Sequence, residues 1–246
     1  MPEPRPSRPA DNTDGEALWL FVHIPKTAGS SFRSALAQRL KPEHNINIQK
    51  WRGTRSRTDA FAQAIDQFLA LDKVERFVFA SGHLLMPEVV RIRESLGRPV
   101  KLLTMLREPV TRVISDYRYQ RTPAHPTHEQ FRAEFPTLES FVDSHRSQNK
   151  MFRHLALPGE TVEAAMARIE RDFSLVGVAD NYALSVRLCS ELIGPRFPAT
   201  TSLNVTQNTG DNEVAVSEQL RDRICRLNPK DEALWAHFRD RLRGRR

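Results

Sequence analysis

The feature that most limits how this chain can fold is a junction near its beginning. An apolar run, Ala17 to Ile24, stops at Pro25-Lys26-Thr27-Ala28-Gly29-Ser30-Ser31, after which Phe32, Ala35, Leu36 and Leu40 recur at helical spacing. The pattern predicts a strand, a tight loop and a helix N-terminus. Backbone N–H groups without helical partners and the positive end of the helix dipole converge at such a point, which therefore suits an oxyanion. Gly29 allows a close approach to a ligand, Ser30 and Ser31 add hydroxyls, and Lys26 adds a mobile cation.

Further apolar runs repeat the theme. Asn45 to Trp51, Arg76 to Ala80, Val100 to Leu106 and Ser174 to Val178 read as strands. Between and after them come helical patterns at Thr58 to Leu71, with Thr58 or Asp59 as cap, at Pro109 to about Arg121, and at Leu138 to His145. Four more follow at Thr161 to Arg171, Tyr182 to Ile193, Ser217 to Leu227 and Lys230 to Leu242. Strands alternating with helices predict an α/β fold with a central, mostly parallel β-sheet flanked by helices. Residues 1–15 are proline-rich and aperiodic and are expected to be a disordered leader, with residues 16–246 forming one domain. Thr122 to Pro136 reads as a long functional loop, a lid or substrate loop, and Pro195 to Val216 as a second irregular stretch. The sequon at Asn204 lies in the latter and is expected to be unused without a secretory route.

In a parallel sheet, ligands bind beyond the carboxyl ends of the strands. Three predicted strand ends carry polar chemistry: Lys26 to Ser31, Ser81-Gly82-His83, and Arg107-Glu108-Pro109. Pro109 suits the first position of a helix whose apolar stripe is Val110, Val113, Ile114 and Tyr117. Arg112, Ser115 and Tyr119 fall on another face, so Arg107 and Ser115 are able to meet one phosphate. A nucleotide-triphosphatase loop does not fit. The lysine precedes the glycine, there is no G-x-x-x-x-G-K-[ST], and no acidic residue is read after a later strand to hold magnesium.

His23 to Phe32 resembles the 5'-phosphosulfate loop of sulfotransferases that use 3'-phosphoadenosine 5'-phosphosulfate (PAPS). The likeness is to the H-I-P-K-T-[AG]-G-[ST]-[ST]-F form of the carbohydrate sulfotransferase family that includes heparan sulfate 2-O-sulfotransferase. Arg107 to Tyr119 is similar to the 3'-phosphate motif of that family. Val176 to Tyr182 and Leu227 to Trp235 resemble two of its later segments, with Asp180 where glutamate is usual. The resemblance implies a P-loop-like three-layer fold and PAPS as sulfuryl donor, without a required metal. It implies that Lys26, Thr27, Ala28, Gly29, Ser30 and Ser31 hold the 5'-phosphosulfate and that Arg107 and Ser115 hold the 3'-phosphate. Lys26 would stabilise the leaving phosphate and His83 would be the general base, with Glu88 in reserve and His23 structural, bracing Lys26 or the loop. The acceptor would be a hydroxyl, expected on a carbohydrate. A small-molecule kinase and a noncatalytic nucleotide-binding module are the alternatives.

Composition removes other classes. The chain has 246 residues, 39% of them hydrophobic, and a formal charge of +7. The charge favours anionic ligands, but there is no basic stripe with interleaved aromatics, so nucleic acid is not expected as a partner. The Arg/His-rich stretch Arg118 to Arg153 is able to meet an acidic sugar. No apolar run is long enough for a transmembrane helix, and no signal peptide is recognisable, which predicts a cytoplasmic protein. Cys189 and Cys225 read as reduced core thiols, and His125, His128 and Glu129 lack a metal-binding pattern.

Overall fold

The computed structural model describes residues 17–47, 57–194 and 214–244. The expected leader, the Asn204 sequon and Trp51 lie outside them.

The core is a five-stranded, all-parallel sheet flanked by helices, a three-layer α/β fold as the alternation of patterns predicts. The strands are β1 (Leu18–Val22), β2 (Glu43–Ile46), β3 (Phe79–Gly82), β4 (Val100–Leu106) and β5 (Phe173–Val178), in the order β2-β3-β1-β4-β5. Every residue of β1 is buried, which is why its sequence is continuously apolar rather than alternating. Leu20 of β1 pairs with Ala80 on one side and with Leu102 on the other. From β1 the chain turns to the β3/β2 side, whereas from β4 it turns to the β5 side. A topological switch point therefore lies between β1 and β4, where open α/β sheets bind ligands.

Helix α1 (Gly29–Arg39) buries Phe32, Ala35 and Leu36. Next come α2 (Arg57–Leu69), which has Thr58 and Asp59 inside its first turn rather than ahead of it, and α3 (Met86–Ser95), which the sequence reading missed. After β4 the chain forms α4 (Pro109–Gln120), α5 (His128–Glu134), α6 (Leu138–Asp143), α7 (Lys150–Leu155) and α8 (Val162–Asp172). After β5 come α9 (Tyr182–Ile193), α10 (Glu218–Leu227) and α11 (Pro229–Arg243). The third strand begins at Phe79 and not at Arg76, because Val74–Arg76 is a turn of 3-10 helix.

A second apolar cluster lies beyond the sheet. Val110, Val113 and Tyr117 of α4 pack with Phe131, Phe135, Phe141, Leu220 and Ile224. The Tyr117 hydroxyl donates to the Pro136 carbonyl at 3.1 Å, and the Phe131 and Phe135 rings lie 5.1 Å apart. The stretch Thr122 to Pro136 is thus a correction to the expected irregular loop. It contains α5 and is anchored by buried aromatic side chains that local periodicity did not reveal.

Charged side chains complete the frame. Arg112, fully buried, reaches Asp116 at 3.4 Å and Asp231 at 3.8 Å and donates to the Ser147 carbonyl at 2.6 Å. Lys150 pairs with Asp116, and Asp231 accepts the N–H groups of Met151 and Phe152 at the start of α7. Two cations thus face two carboxylates, and the buried charges balance. Asp180 accepts the Glu108 N–H at 3.1 Å and the Trp235 indole N–H at 2.9 Å, tying the end of β5 to the end of β4 and to α11.

Candidate active site

In the register of the sheet, Val22 stands beside Gly82 of β3 and Thr104 of β4, so the three loops that follow leave side by side. Thr104 fastens the middle one, its hydroxyl donating to the Val22 carbonyl at 2.8 Å. The loop after β1 then turns sharply. Lys26 and Ala28 have φ of 68° and 65°, a left-handed conformation that non-glycine residues seldom adopt and that costs about 1–2 kcal/mol each. The Thr27 hydroxyl donates to the Ile24 carbonyl at 2.9 Å and is wholly buried, so this side chain shapes the loop.

The turn delivers the chain into α1. That helix has no side-chain cap and no acidic residue in its first turn, as an anion-binding N-terminus requires. The contrast with α4 is direct: Glu108 accepts from the N–H groups of Val110 at 2.9 Å and Thr111 at 2.7 Å, so that helix start already holds a carboxylate. Two acidic residues therefore do follow later strands, Glu108 after β4 and Asp180 after β5, contrary to the sequence reading. Both carboxylates are bonded into the frame.

Lys26 and Arg107 meet across the switch point. The Arg107 guanidinium donates to the Lys26 carbonyl at 3.3 Å and to the Thr111 hydroxyl at 3.2 Å. The Lys26 ammonium lies 4.0 Å from the centroid of the Tyr119 ring. Thr111, Ser115 and Tyr119 are four residues apart and share one face of α4. Ser115, half-buried, therefore sits between the turn that Arg107 touches and the turn that Lys26 touches. Arg112, which the sequence reading put on that face, is instead committed to Asp116 and Asp231.

Burial pulls the Lys26 ammonium down to about 8. Asp116 opposes the shift and Arg107 adds to it. Burial also lowers Arg107, which Asp180 and Glu108 counter, and an arginine keeps its charge regardless. No protein-family model matches the chain, and no curated protein matches it.

His83 follows β3 and is exposed, its Nδ1 2.7 Å from the His23 carbonyl oxygen. Glu88, the reserve base, has its carboxylate bonded to the Leu85 N–H at the start of α3, which gives it a capping role. A Cβ at Gly29 would lie 2.2 Å from Cδ2 of His23, so the glycine also makes room for a neighbouring ring. Ser31 is buried, whereas Ser30 is exposed at the mouth of a cleft of about 670 Å³ that also reaches His83.

Arg33, Asn45, Asn47 and Phe61 line this cleft. Arg33 donates to Ser81 at 2.8 Å and to Glu43 at 3.1 Å, and Ser81 donates to the Asn45 side chain at 3.3 Å. The sequence reading missed Arg33 and Asn45. Arg33 lies three residues after Ser30 on α1, so helical spacing alone would have put it on the same side. Asn45 could be found only through the sheet register, which sets it beside Ser81.

Proposed function

We propose that this chain is a PAPS-dependent sulfotransferase of the carbohydrate type that it resembles, transferring a sulfuryl group to an acceptor hydroxyl. The observation that carries the reading is the hydrogen bond from the Arg107 guanidinium to the Lys26 main-chain carbonyl at 3.3 Å, which joins the two motifs at one crevice, with Ser115 between the points where the two side chains touch α4. A donor with phosphates at both the 5' and 3' positions needs two separated cationic pockets on one crevice.

In this reading the donor supplies a sulfuryl group already activated by its bond to a 5'-phosphate oxygen. The backbone N–H groups of residues 27–31, with the Ser30 and Ser31 hydroxyls, hold the 5'-phosphate. Arg107 and Ser115 hold the 3'-phosphate. The acceptor hydroxyl lies in the cleft beside His83. Its oxygen forms a bond to sulfur as the bond from sulfur to the bridging phosphate oxygen breaks. Its proton passes to His83, and the leaving oxygen's charge is met by Lys26. A single preorganised donor of this kind lowers a barrier by about 3–4 kcal/mol.

The cleft suits a carbohydrate. At about 670 Å³ it has the size of ordinary small-ligand sites. Phe61 offers an apolar surface, while Arg33, Asn45 and Asn47 offer polar groups, the mixture that a sugar ring presents in return. The experiment is transfer of ³⁵S from labelled PAPS to a panel of p-nitrophenyl glycosides and desulfated glycosaminoglycans. Transfer is expected with at least one acceptor, abolished in Lys26→Ala and reduced about 10²- to 10⁴-fold in His83→Ala. No transfer, together with phosphorylation of the same panel from magnesium ATP, would replace this reading with a kinase.

A further inference from the structure

His23 follows β1 as His83 follows β3, and their preceding residues, Val22 and Gly82, are register partners. The two imidazoles consequently leave the sheet together and stack, centroids 4.3 Å apart and planes 29° from parallel. Beneath them, the His23 carbonyl oxygen is 2.7 Å from Nδ1 of His83. A carbonyl only accepts, so His83 carries a proton on Nδ1, and its neutral form is the tautomer whose lone pair is on Nε2, the nitrogen a general base needs.

The His23 ring is itself held from two further directions. Phe21 stacks on it at 5.5 Å. Its Cδ2–Nε2 edge fills the space above Gly29, where a Cβ would stand 2.2 Å from Cδ2 and 2.5 Å from Nε2. One ring thus touches the first residue of α1 and the imidazole of His83. Burial, aided by His83, Arg33, His154 and Lys26, drives the His23 pKa down to about 3, so this ring stays neutral.

We infer that His23 is a positioning residue for His83. Its main-chain carbonyl accepts from Nδ1–H of His83, and its ring, wedged between Gly29 and His83, holds that imidazole over the carbonyl and sets the distance from the phosphate loop to the base. The inference rests on the proposed role of His83 in sulfuryl transfer. It also gives a reason for histidine at the end of an apolar strand and for glycine at the start of α1.

The test is long-range ¹H–¹⁵N NMR of the histidine rings in the full chain, with His83 assigned from His83→Gln. The unsubstituted protein is expected to show neutral His83 as the Nδ1–H tautomer. His23→Leu, which removes the stack, and Gly29→Ala, which expels the ring, are expected to give a tautomer mixture and a displaced His83 titration. His23→Phe, which keeps a ring in place, is expected to restore the original pattern. In the transfer assay His23→Leu is expected to lose about 10- to 100-fold in rate, as misplacement of a catalytic group does, with the Kd for adenosine 3',5'-bisphosphate unchanged. An Nε2–H tautomer in the unsubstituted protein, or His83 signals unmoved by His23→Leu, would overturn the inference. Failure of the bisphosphate to bind the unsubstituted protein would instead remove the sulfotransferase reading and leave the tautomer result standing.

Discussion

Raising the pH from 7 to 9 is predicted to weaken binding of adenosine 3',5'-bisphosphate and to make that binding take up protons. The cause is Lys26, whose ammonium is held to about 8 chiefly by burial. At pH 7 about nine-tenths of the unliganded sites carry the charge, at pH 8 about half, and at pH 9 about one-tenth. The 5'-phosphate beside Lys26 would return it to the charged form. The liganded protein therefore binds more protons than the free protein, and affinity falls as pH rises. If only the charged form binds well, the apparent Kd rises about twofold at pH 8 and about tenfold at pH 9. The accompanying uptake is about 0.5 proton per site at pH 8 and about 0.9 at pH 9. The ligand's own phosphates titrate near pH 6 and contribute little in this range. Isothermal titration in buffers of small and large ionisation enthalpy measures the uptake, with Lys26→Met as control. Absence of uptake between pH 8 and 9, or equal uptake in Lys26→Met, would refute the placement of Lys26 at the anion.

Three further outcomes follow from named contacts. Arg107→Ala is expected to weaken the bisphosphate about 10- to 100-fold, the worth of one charged hydrogen-bonding group, and to leave adenosine 5'-phosphate little affected, as titration of both ligands would show. Arg112→Ala leaves Asp116 with Lys150 and takes from buried Asp231 its ion-pair contact with Arg112, and a loss of about 3–5 kcal/mol is expected in urea denaturation. Between pH 6.5 and about 3 the unfolded chain protonates His23 and the folded chain does not, so stability falls as pH falls, by about 1.4 kcal/mol per unit from this group. His23→Phe is expected to remove that increment, seen as a shallower pH dependence of unfolding in the acid range.

The parallel sheet was legible because its central strands are buried on both faces and therefore written in unbroken apolar runs. Val100 to Leu106 was read to the residue. The edge strand β2 was displaced, since Glu43, His44 and Asn45 are only partly covered and no continuous apolar signal marks it. Helices α3, α5 and α7 escaped for related reasons. The ten residues of α3 bury only Met86, Val89 and Ile92, α5 buries only Phe131, and α7 spans six residues.

At the site, Lys26, Arg107 and Ser115 were legible because loop chemistry and helical spacing are local. Three features were not, because they depend on strand register or on distant partners. These are the stacking of His23 on His83, the cleft wall formed by Arg33 and Asn45, and the burial of Arg112 against Asp231. A charged residue on a helix reads as solvent-facing until its counterion is known. Arg112 has one counterion on its own helix, Asp116, and the other, Asp231, only in α11.

The central claim is a crevice with two phosphate pockets, one at the loop containing Lys26 and one at Arg107 and Ser115. It is tested most directly by titrating the protein at pH 7 with adenosine 3',5'-bisphosphate, adenosine 5'-phosphate and magnesium ATP, and repeating the series on Arg107→Ala. Clear preference for the bisphosphate is expected, with the preference lost in the variant. Equal or tighter binding of magnesium ATP, or a bisphosphate affinity indifferent to Arg107, would contradict it.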